Sequence, residues 1–149
     1  MTIRLDGRVA IVTGAGGGLG RSHALALAAR GARVMVNDLA RPDGTSPAAR
    51  VAEEIRAAGG EALINEGSVT DFAAMQAMVE QAREAWGRVD ILVNNAGILR
   101  DKTFAKMDLA DFRLVLDVHL MGAVNCTHAV WPIMRAQKYG RIVMTTSSS

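Results

Sequence analysis

The chain has 149 residues, half of them hydrophobic, and a net charge of +2 from 17 basic and 15 acidic side chains interspersed along it. That length suits one domain, and the apolar content excludes disorder through lack of buried surface. Because no lysine or arginine stripe is present, a nucleic-acid partner is not expected. Cys126 is the single cysteine, which excludes an intrachain disulfide or a cysteine zinc site and favours a small buried hydrophobe.

The N-terminal segment carries Arg4, Asp6 and Arg8 without an apolar core, which is unlike a signal peptide. No uncharged apolar run approaches the roughly 18 residues of a membrane span. We therefore expect a cytoplasmic protein without a membrane partner. The three histidines are too scattered to predict a metal site.

The first half of the chain alternates between two kinds of pattern. Apolar, β-branched runs predict buried strands at residues 8–13, 33–38 and 62–66. Between them, helical spacing ended by glycine predicts helices at residues 19–30 and 48–58. The segment 39–47 contains two prolines and a glycine, which predicts a loop.

The second half continues the alternation. Asp71 is placed to cap a helix that runs to about Trp86, where Gly87 ends it. A fourth strand is predicted at residues 89–93, a long helix at 108–135 that Pro132 should kink, and a fifth strand at 141–145. Strands alternating with helices predict an α/β fold with a mostly parallel sheet.

A glycine cluster, TGAGGGLG at residues 13–20, lies between the first strand and the first helix. Backbone without Cβ atoms can approach a pyrophosphate, and the helix start supplies free N–H groups and a positive dipole. The cluster is not a Walker phosphate loop, because the Lys102-Thr103 pair follows Asp101 where that motif needs glycine. It is not a strict G-x-G-x-x-G either, since the spacing is T-G-x-x-x-G-x-G.

Asp38 ends the second strand, 18 residues beyond Gly20. In a doubly wound sheet this position overhangs the adenosine ribose, where a carboxylate can accept hydrogen bonds from the hydroxyls. A 2′-phosphate would meet like charge there, and Gly17 offers no compensating cation. The sequence therefore predicts NAD in preference to NADP.

Three motifs together resemble the short-chain dehydrogenase/reductase family: the glycine cluster, Asn-Asn-Ala-Gly at residues 94–97, and the strand at residues 140–147. A closer resemblance, to the (3R)-hydroxyacyl-CoA dehydrogenase domain of peroxisomal multifunctional enzymes and bacterial relatives, rests on segments 36–39, 94–104 and 138–142. The resemblance implies a doubly wound, Rossmann-type parallel sheet of order 3-2-1-4-5. Residues 1–149 would then form the dinucleotide-binding part of one dehydrogenase domain.

The resemblance also implies roles for particular residues. Gly14, Gly18 and Leu19 would line the pyrophosphate, and Asp38 the adenosine ribose. Ser68, where the family more often has Asp, and Val69 would lie beside the adenine. The nicotinamide ribose and the substrate oxygen would be met by Asn95, Ala96, Gly97 and the catalytic Ser147. His119 occupies the position of a family asparagine that holds a relay water; whether it relays protons or satisfies a buried helix position stays open.

The family's chemistry also needs a tyrosine with a lysine four residues later, beyond the serine. Here Tyr139 precedes Ser147, and the residue four positions after Tyr139 is Val143 instead of lysine. We therefore expect these residues to be a dehydrogenase domain truncated after the fifth strand. An apolar edge strand with Ile142 and Val143 would then be open to pairing with another chain. A small-residue face on the preceding helix, of a kind that the family uses in dimers, favours a homo-oligomer.

Three functions are compatible with the sequence. The first is an NAD-dependent oxidoreductase that acts on a hydroxyl or ketone substrate, with a 3-hydroxyacyl thioester as a candidate, and whose 149 residues alone are inactive. The second is a non-catalytic NAD-binding or interaction module. The third is an oligomerisation fragment that holds no cofactor.

Overall fold

Five parallel strands form one sheet in the computed structural model, which describes residues 2–148. Their order is β3-β2-β1-β4-β5, so the predicted 3-2-1-4-5 topology is confirmed. The register pairs Val12 with both Val36 and Val93, at the carboxyl ends of the three central strands. The strands are β1 (Val9–Val12), β2 (Arg33–Asn37), β3 (Ala62–Asn65), β4 (Ile91–Asn94) and β5 (Arg141–Met144).

Helices cover both faces of the sheet. In β1, Ala10 and Val12 belong to one buried cluster, and Val9 and Ile11 to the other. Strands buried on both faces explain why the sequence shows continuous apolar runs instead of alternation. The first cluster includes residues of α1 (Gly18–Ala29) and α2 (Pro47–Ala57), and the second residues of α3 (Phe72–Trp86) and α5 (Gly122–Gln137).

The predicted helix over residues 108–135 is not one regular α-helix. It consists of α4 (Leu109–Leu116), a π-helical turn (Asp117–Met121) and α5, which continues through Pro132. In the π-helical turn the N–H of Gly122 donates to the carbonyl of Asp117, five residues back. Apolar spacing cannot distinguish this wider turn from an α-helix, because the two differ by one residue in their hydrogen bonding.

The start of one helix and a short additional helix also differ from the predicted elements. Helix α2 already begins at Pro47, because the Ser46 side chain accepts a hydrogen bond from the N–H of Ala49 and proline is tolerated in a first turn. A short 3-10 helix, Phe104–Lys106, was not predicted. Within residues 2–148, no helix has the length and apolar character needed to cross a membrane.

Several local predictions are confirmed. Asp71 caps α3 by accepting from the N–H of Ala74, and Gly87 ends that helix with φ of +79°. Cys126 is fully buried in the second cluster, where burial raises the pKa of its thiol to about 12. The thiol is therefore protonated at neutral pH and serves packing.

Candidate functional site

The glycine loop (residues 13–17) joins β1 to α1. Gly14 has φ of +60° and Gly18, the first residue of α1, has φ of +53°, both in the left-handed region that favours glycine. A Cβ on Gly14 would lie 2.8 Å from the Cα of Ala96, and one on Gly20 would overlap the carbonyl oxygen of Gly14. The absence of side chains therefore lets β1, α1 and the chain after β4 pack together.

The start of α1 presents backbone donors at the same place. The first main-chain bond of this helix runs from the N–H of Arg21 to the carbonyl of Gly17, at 3.0 Å. The N–H groups before Arg21 consequently have no carbonyl within the helix to bond. Together with the helix dipole, they form a favourable position for an anion such as a pyrophosphate.

Asp38 follows β2 directly and is held by two backbone amides. Its Oδ2 accepts from the N–H of Gly16 at 2.8 Å, and its Oδ1 accepts from the N–H of Leu39 at 2.8 Å. Each carboxylate oxygen has a second lone pair, so the group can still accept from a ribose hydroxyl. The first bond also ties the position of Asp38 to the glycine loop.

The β3 loop (residues 66–70) carries Ser68 and Val69. The Ser68 hydroxyl lies 2.7 Å from the Thr70 hydroxyl and accepts from the N–H of Thr70. The Val69 carbonyl accepts from the Asn125 side chain at 2.9 Å, and Val69 packs so tightly on Gly122 that a Cβ there would lie 2.6 Å from it. Ser68 is thus bonded within its own loop, while Val69 is fixed to α5.

The β4 loop (residues 95–98) is interlocked with the glycine loop. The Thr13 hydroxyl accepts from the N–H groups of Asn95 and Ala96, at 3.1 and 3.0 Å. The Asn95 side chain donates to the carbonyls of Thr13 and Gly14, both at 3.2 Å. The hydroxyl of Thr145, just after β5, lies 3.3 Å from the Asn95 amide oxygen. Asn95 thereby connects the ends of three adjacent strands.

His119 contacts the β4 loop from the π-helical turn. Its Nε2 lies 3.0 Å from the backbone nitrogen and 2.9 Å from the carbonyl oxygen of Ile98. One neutral tautomer accepts from that N–H, and the other donates to that carbonyl. A Cβ on Gly97 would lie 2.5 Å from the imidazole. His119 is exposed, so it does not fill a buried helix position, and its ring nitrogen contacts backbone.

A groove of about 220 Å³ brings most of the predicted cofactor residues together. It opens at the carboxyl edge of the sheet, and its lining includes Gly14, Asp38, Ser68, Val69, Asn95, Ala96 and Gly97. A larger cavity of about 680 Å³ shares Val69, Ala96 and Val118 with it and continues along α5. Doubly wound sheets bind ligands at this edge, where the strand order reverses between β1 and β4.

Three predicted site residues do not line that groove. Gly18 and Leu19 stand at the start of α1, where Leu19 is 64% exposed. Ser147 lies three residues beyond the end of β5 and is exposed. No metal-binding group of three or more His, Cys, Asp or Glu side chains occurs in residues 2–148.

Tyr139, the single tyrosine, lies at the other end of the sheet. It precedes β5, and the guanidinium groups of Arg8 and Arg141 stand 3.8 and 4.7 Å from its ring centre. The β4 loop lies beyond the opposite ends of the same strands. Tyr139 is therefore remote from the groove and cannot replace the tyrosine that the family uses.

A set of side-chain amides behind the β3 loop was not predicted from the sequence. Asn37 and Asn65 end β2 and β3 at paired positions, and Gln81 of α3 reaches the second of them. The signal that could have identified them is an asparagine in place of an apolar residue at the carboxyl end of two adjacent strands.

Comparison with known proteins agrees with this geometry. The family model described as short chain dehydrogenase matches residues 8–149. Peroxisomal multifunctional enzyme type 2 of Drosophila melanogaster is 55% identical over 99% of this chain. A short chain dehydrogenase from Mycobacterium avium superposes with a TM-score of 0.88 at 45% identity over 95% of the chain. A 7α-hydroxysteroid dehydrogenase complexed with NADH and 7-oxo glycochenodeoxycholic acid gives 0.89, with 36% identity over 97%.

These proteins are longer than the present chain. It spans 25% of the fly enzyme, 53% of the Mycobacterium avium protein and 55% of the hydroxysteroid dehydrogenase. The matched part contains the glycine loop, the β3 loop and the β4 loop. On the fold, the groove and the family match together, this chain belongs to the short-chain dehydrogenase family.

Proposed function

We propose that residues 1–149 form the dinucleotide-binding part of a single dehydrogenase domain that uses NAD. The observation that carries this proposal is the groove at the carboxyl edge, where the glycine loop, Asp38 and residues 95–97 meet. A Cβ on Gly14 would lie 2.8 Å from the Cα of Ala96, so glycine is needed for the two loops that line the groove to approach each other.

The charges and donors of the groove fit that cofactor. The start of α1 favours a pyrophosphate, and the carboxylate of Asp38 accepts from ribose hydroxyls but repels a 2′-phosphate. Ser68 and Val69 would line the adenine side, and Asn95, Ala96 and Gly97 the side of the nicotinamide ribose. The name of the hydroxysteroid dehydrogenase complex, which includes NADH, supports the same cofactor class.

The proposed reaction is hydride transfer between nicotinamide and the carbon of a hydroxyl or ketone substrate. When bound, NAD supplies the hydride-accepting ring. Ser147 orients the substrate oxygen by hydrogen bonding, and the groove residues hold the ribose in place. Because no Tyr-x-x-x-Lys occurs in the sequence, these residues by themselves supply cofactor binding and not the proton transfer.

A 3-hydroxyacyl thioester is the substrate class that we favour. The similarity to peroxisomal multifunctional enzyme type 2 supports it, as does the resemblance of segments 36–39 and 94–104 to the dehydrogenase domain of such enzymes. The cavity of about 680 Å³ beside the groove has apolar walls from α5 and the end of β5 that suit an acyl chain. Since the fly relative is named as peroxisomal, cytoplasmic location stays a prediction from the sequence.

Isothermal titration with NAD and NADP tests the cofactor assignment in the full natural protein. We expect NAD to bind at least about tenfold more tightly than NADP, and Asp38→Asn to remove most of that difference, because the like charge facing the 2′-phosphate is lost. Asp43→Asn is the matched control, since the Asp43 carboxylate bonds Thr45 within an exposed turn. Tighter binding of NADP, or no binding of NAD, would contradict the proposal.

The second candidate is a non-catalytic NAD-binding module. It is favoured by the position of Tyr139 at the wrong end of the sheet, away from the groove. An oxidation assay with hydroxyl substrates separates it from the enzyme, because both bind NAD but the module oxidises no hydroxyl substrate. The oligomerisation fragment, by contrast, predicts no NAD affinity at millimolar concentration.

We also propose a homo-oligomer. Helices α4 and α5 leave large apolar side chains on the surface: Leu109 is 62% exposed, Phe112 48% and Trp131 54%. We base this proposal on these exposed side chains, because large exposed apolar patches mark interaction sites. Sedimentation velocity checks the state, and a monomer at all concentrations would contradict it.

A further inference from the structure

The β3 loop is held by side-chain amides from two adjacent strands. Asn37 and Asn65 occupy paired positions at the carboxyl ends of β2 and β3. The Asn37 side chain is almost fully buried, and its amide nitrogen donates to the Asn65 amide oxygen and to the Gly67 carbonyl, both at 2.9 Å. The N–H of Gly67 donates to that same Asn65 oxygen, also at 2.9 Å.

These bonds fix both sides of Gly67. Its N–H is bound by Asn65 and its carbonyl by Asn37, so the backbone there has little freedom to rotate. A Cβ at Gly67 would lie 3.1 Å from the Asn65 oxygen and 3.2 Å from the Ala74 Cβ, so the loop is also enclosed sterically. Ser68 and Val69 follow immediately, and their position depends on this turn.

Helix α3 supports the arrangement from behind. The Gln81 side chain donates to the Ile64 carbonyl at 3.3 Å, and its oxygen accepts from the Asn65 nitrogen at 3.4 Å. These outer bonds are longer than the inner three, so Gln81 contributes less.

The orientation of both amides follows from fixed backbone groups. The N–H of Gly67 is always a donor, so Asn65 must present its oxygen there, and the Gly67 carbonyl is always an acceptor, so Asn37 must present its nitrogen. Asn65 therefore acts through its oxygen and Asn37 through its nitrogen. This asymmetry distinguishes the two residues chemically although they have the same side chain.

We propose that Asn37 and Asn65 are positioning residues for the adenine half of the cofactor. Resting on the proposed NAD function, the inference is that the pair holds the β3 loop so that Ser68 and Val69 form one wall of the adenine pocket. Neither asparagine needs to touch the reacting atoms. The pair affects how tightly the adenosine end binds, and leaves the nicotinamide end unchanged.

Two isosteric substitutions test the inference in the full natural protein. Asn37→Asp replaces the donor by a carboxylate that faces the Asn65 oxygen and the Gly67 carbonyl, so both bonds are lost. Asn65→Asp, the matched control, adds the same charge but keeps an oxygen that accepts from Asn37 and from Gly67. We expect Asn37→Asp to weaken NAD about tenfold or more, and Asn65→Asp about threefold at most.

Fragments of the cofactor locate the effect. Affinity for AMP should fall in Asn37→Asp by the same factor as that for NAD, whereas affinity for nicotinamide mononucleotide should not change. In steady-state assays KM for NAD should rise with kcat little altered. Equal losses in both aspartate variants, or equal losses for AMP and nicotinamide mononucleotide, would overturn the inference.

Amide hydrogen exchange keeps the test valid if Asn37→Asp does not fold. In the wild-type protein the N–H of Gly67 should exchange slowly, and Asn65→Leu, which removes its acceptor, should expose it while Asn65→Asp should not. Fast exchange of the Gly67 N–H in the wild type would overturn the inference that Asn37 and Asn65 hold the β3 loop. If the wild-type protein binds neither NAD nor AMP, the proposed function fails. Slow exchange of the Gly67 N–H would then still show that Asn37 and Asn65 hold the β3 loop.

Discussion

The two ends of the sheet use polar groups in opposite ways. At the amino end, Asp90 is fully buried, and its carboxylate accepts from the Val9 N–H at 2.9 Å and from Nη2 and Nε of Arg88 at 2.6 and 2.7 Å. The backbone carbonyl of Asp90 accepts a hydrogen bond from the N–H of Arg141, the first residue of β5, and so helps to pair β5 with β4. Every one of these contacts stabilises the fold.

The carboxyl end is built from glycine, amides and backbone. The Asn94 oxygen is buried there without a hydrogen-bond partner among the described residues, and Gly14 and Gly18 lie in left-handed conformations. Side chains at this end bond one another and the backbone around an open groove, whereas the buried carboxylate at the amino end joins adjacent strands. The amino end secures strand pairing, and we propose that the carboxyl end serves ligand binding.

The largest expected effect is at Asp90. Asp90→Asn keeps the shape but removes the buried charge that Arg88 and Arg8 face, and because both arginines are partly exposed the expected loss is about 2 kcal/mol of the free energy of unfolding, less than for a pair with both partners buried. Urea denaturation measures the loss. Asp6→Asn, which breaks the exposed pair with Arg4, is the control and should leave the midpoint unchanged. Equal midpoints for both variants would remove the distinction between the ends.

The same carboxylate predicts a pH dependence. Burial raises the pKa of Asp90, but the bonds from Arg88 and Val9 and the charges of Arg88 and Arg8 outweigh it and lower the pKa below its ordinary value. A lowered folded-state pKa contributes stability above the unfolded-state pKa of about 3.9, and this is lost as pH falls through the folded-state pKa.

Unfolding midpoints measured between pH 7 and pH 2 check this sign. The wild type should lose more stability in acid than Asp90→Asn, so the two curves should converge below about pH 4. A constant separation down to pH 2 would mean that Asp90 is not the titrating group. NAD affinity at neutral pH should be equal in both proteins if the two ends are independent.

The smallest expected effect concerns the β4 loop. Gly97→Ala places a Cβ 2.5 Å from the His119 ring, which can move only by breaking its bond to Ile98, so NAD affinity should fall about tenfold. In a His119→Ala background the ring is gone, and adding Gly97→Ala should cost little more. Titration with NAD measures the affinity of the four proteins in this double-mutant cycle. Equal costs in both backgrounds would show that the imidazole does not restrict residue 97.

Much of the fold followed from the sequence because its signals are local. Apolar, mostly β-branched runs predicted the five strands, and Asp71 and Gly87 marked the ends of α3 through capping and a left-handed turn. Resemblance then gave the order 3-2-1-4-5. The residues of the glycine loop and Asp38 were identified for the same reason, since each lies directly at the end of a predicted strand.

Other features were decided only by tertiary structure. The amide pair Asn37–Asn65 joins segments that are distant in sequence but adjacent in the sheet. The hydrogen bond from the Val9 N–H to the buried Asp90 carboxylate likewise joins residues that are 81 positions apart in the sequence. The π-helical turn at Asp117–Met121 and the exposure of His119 are not signalled by apolar spacing. Local patterns determine where strands begin and end; only packing determines which polar groups meet, because hydrogen bonds require positions that no spacing rule contains.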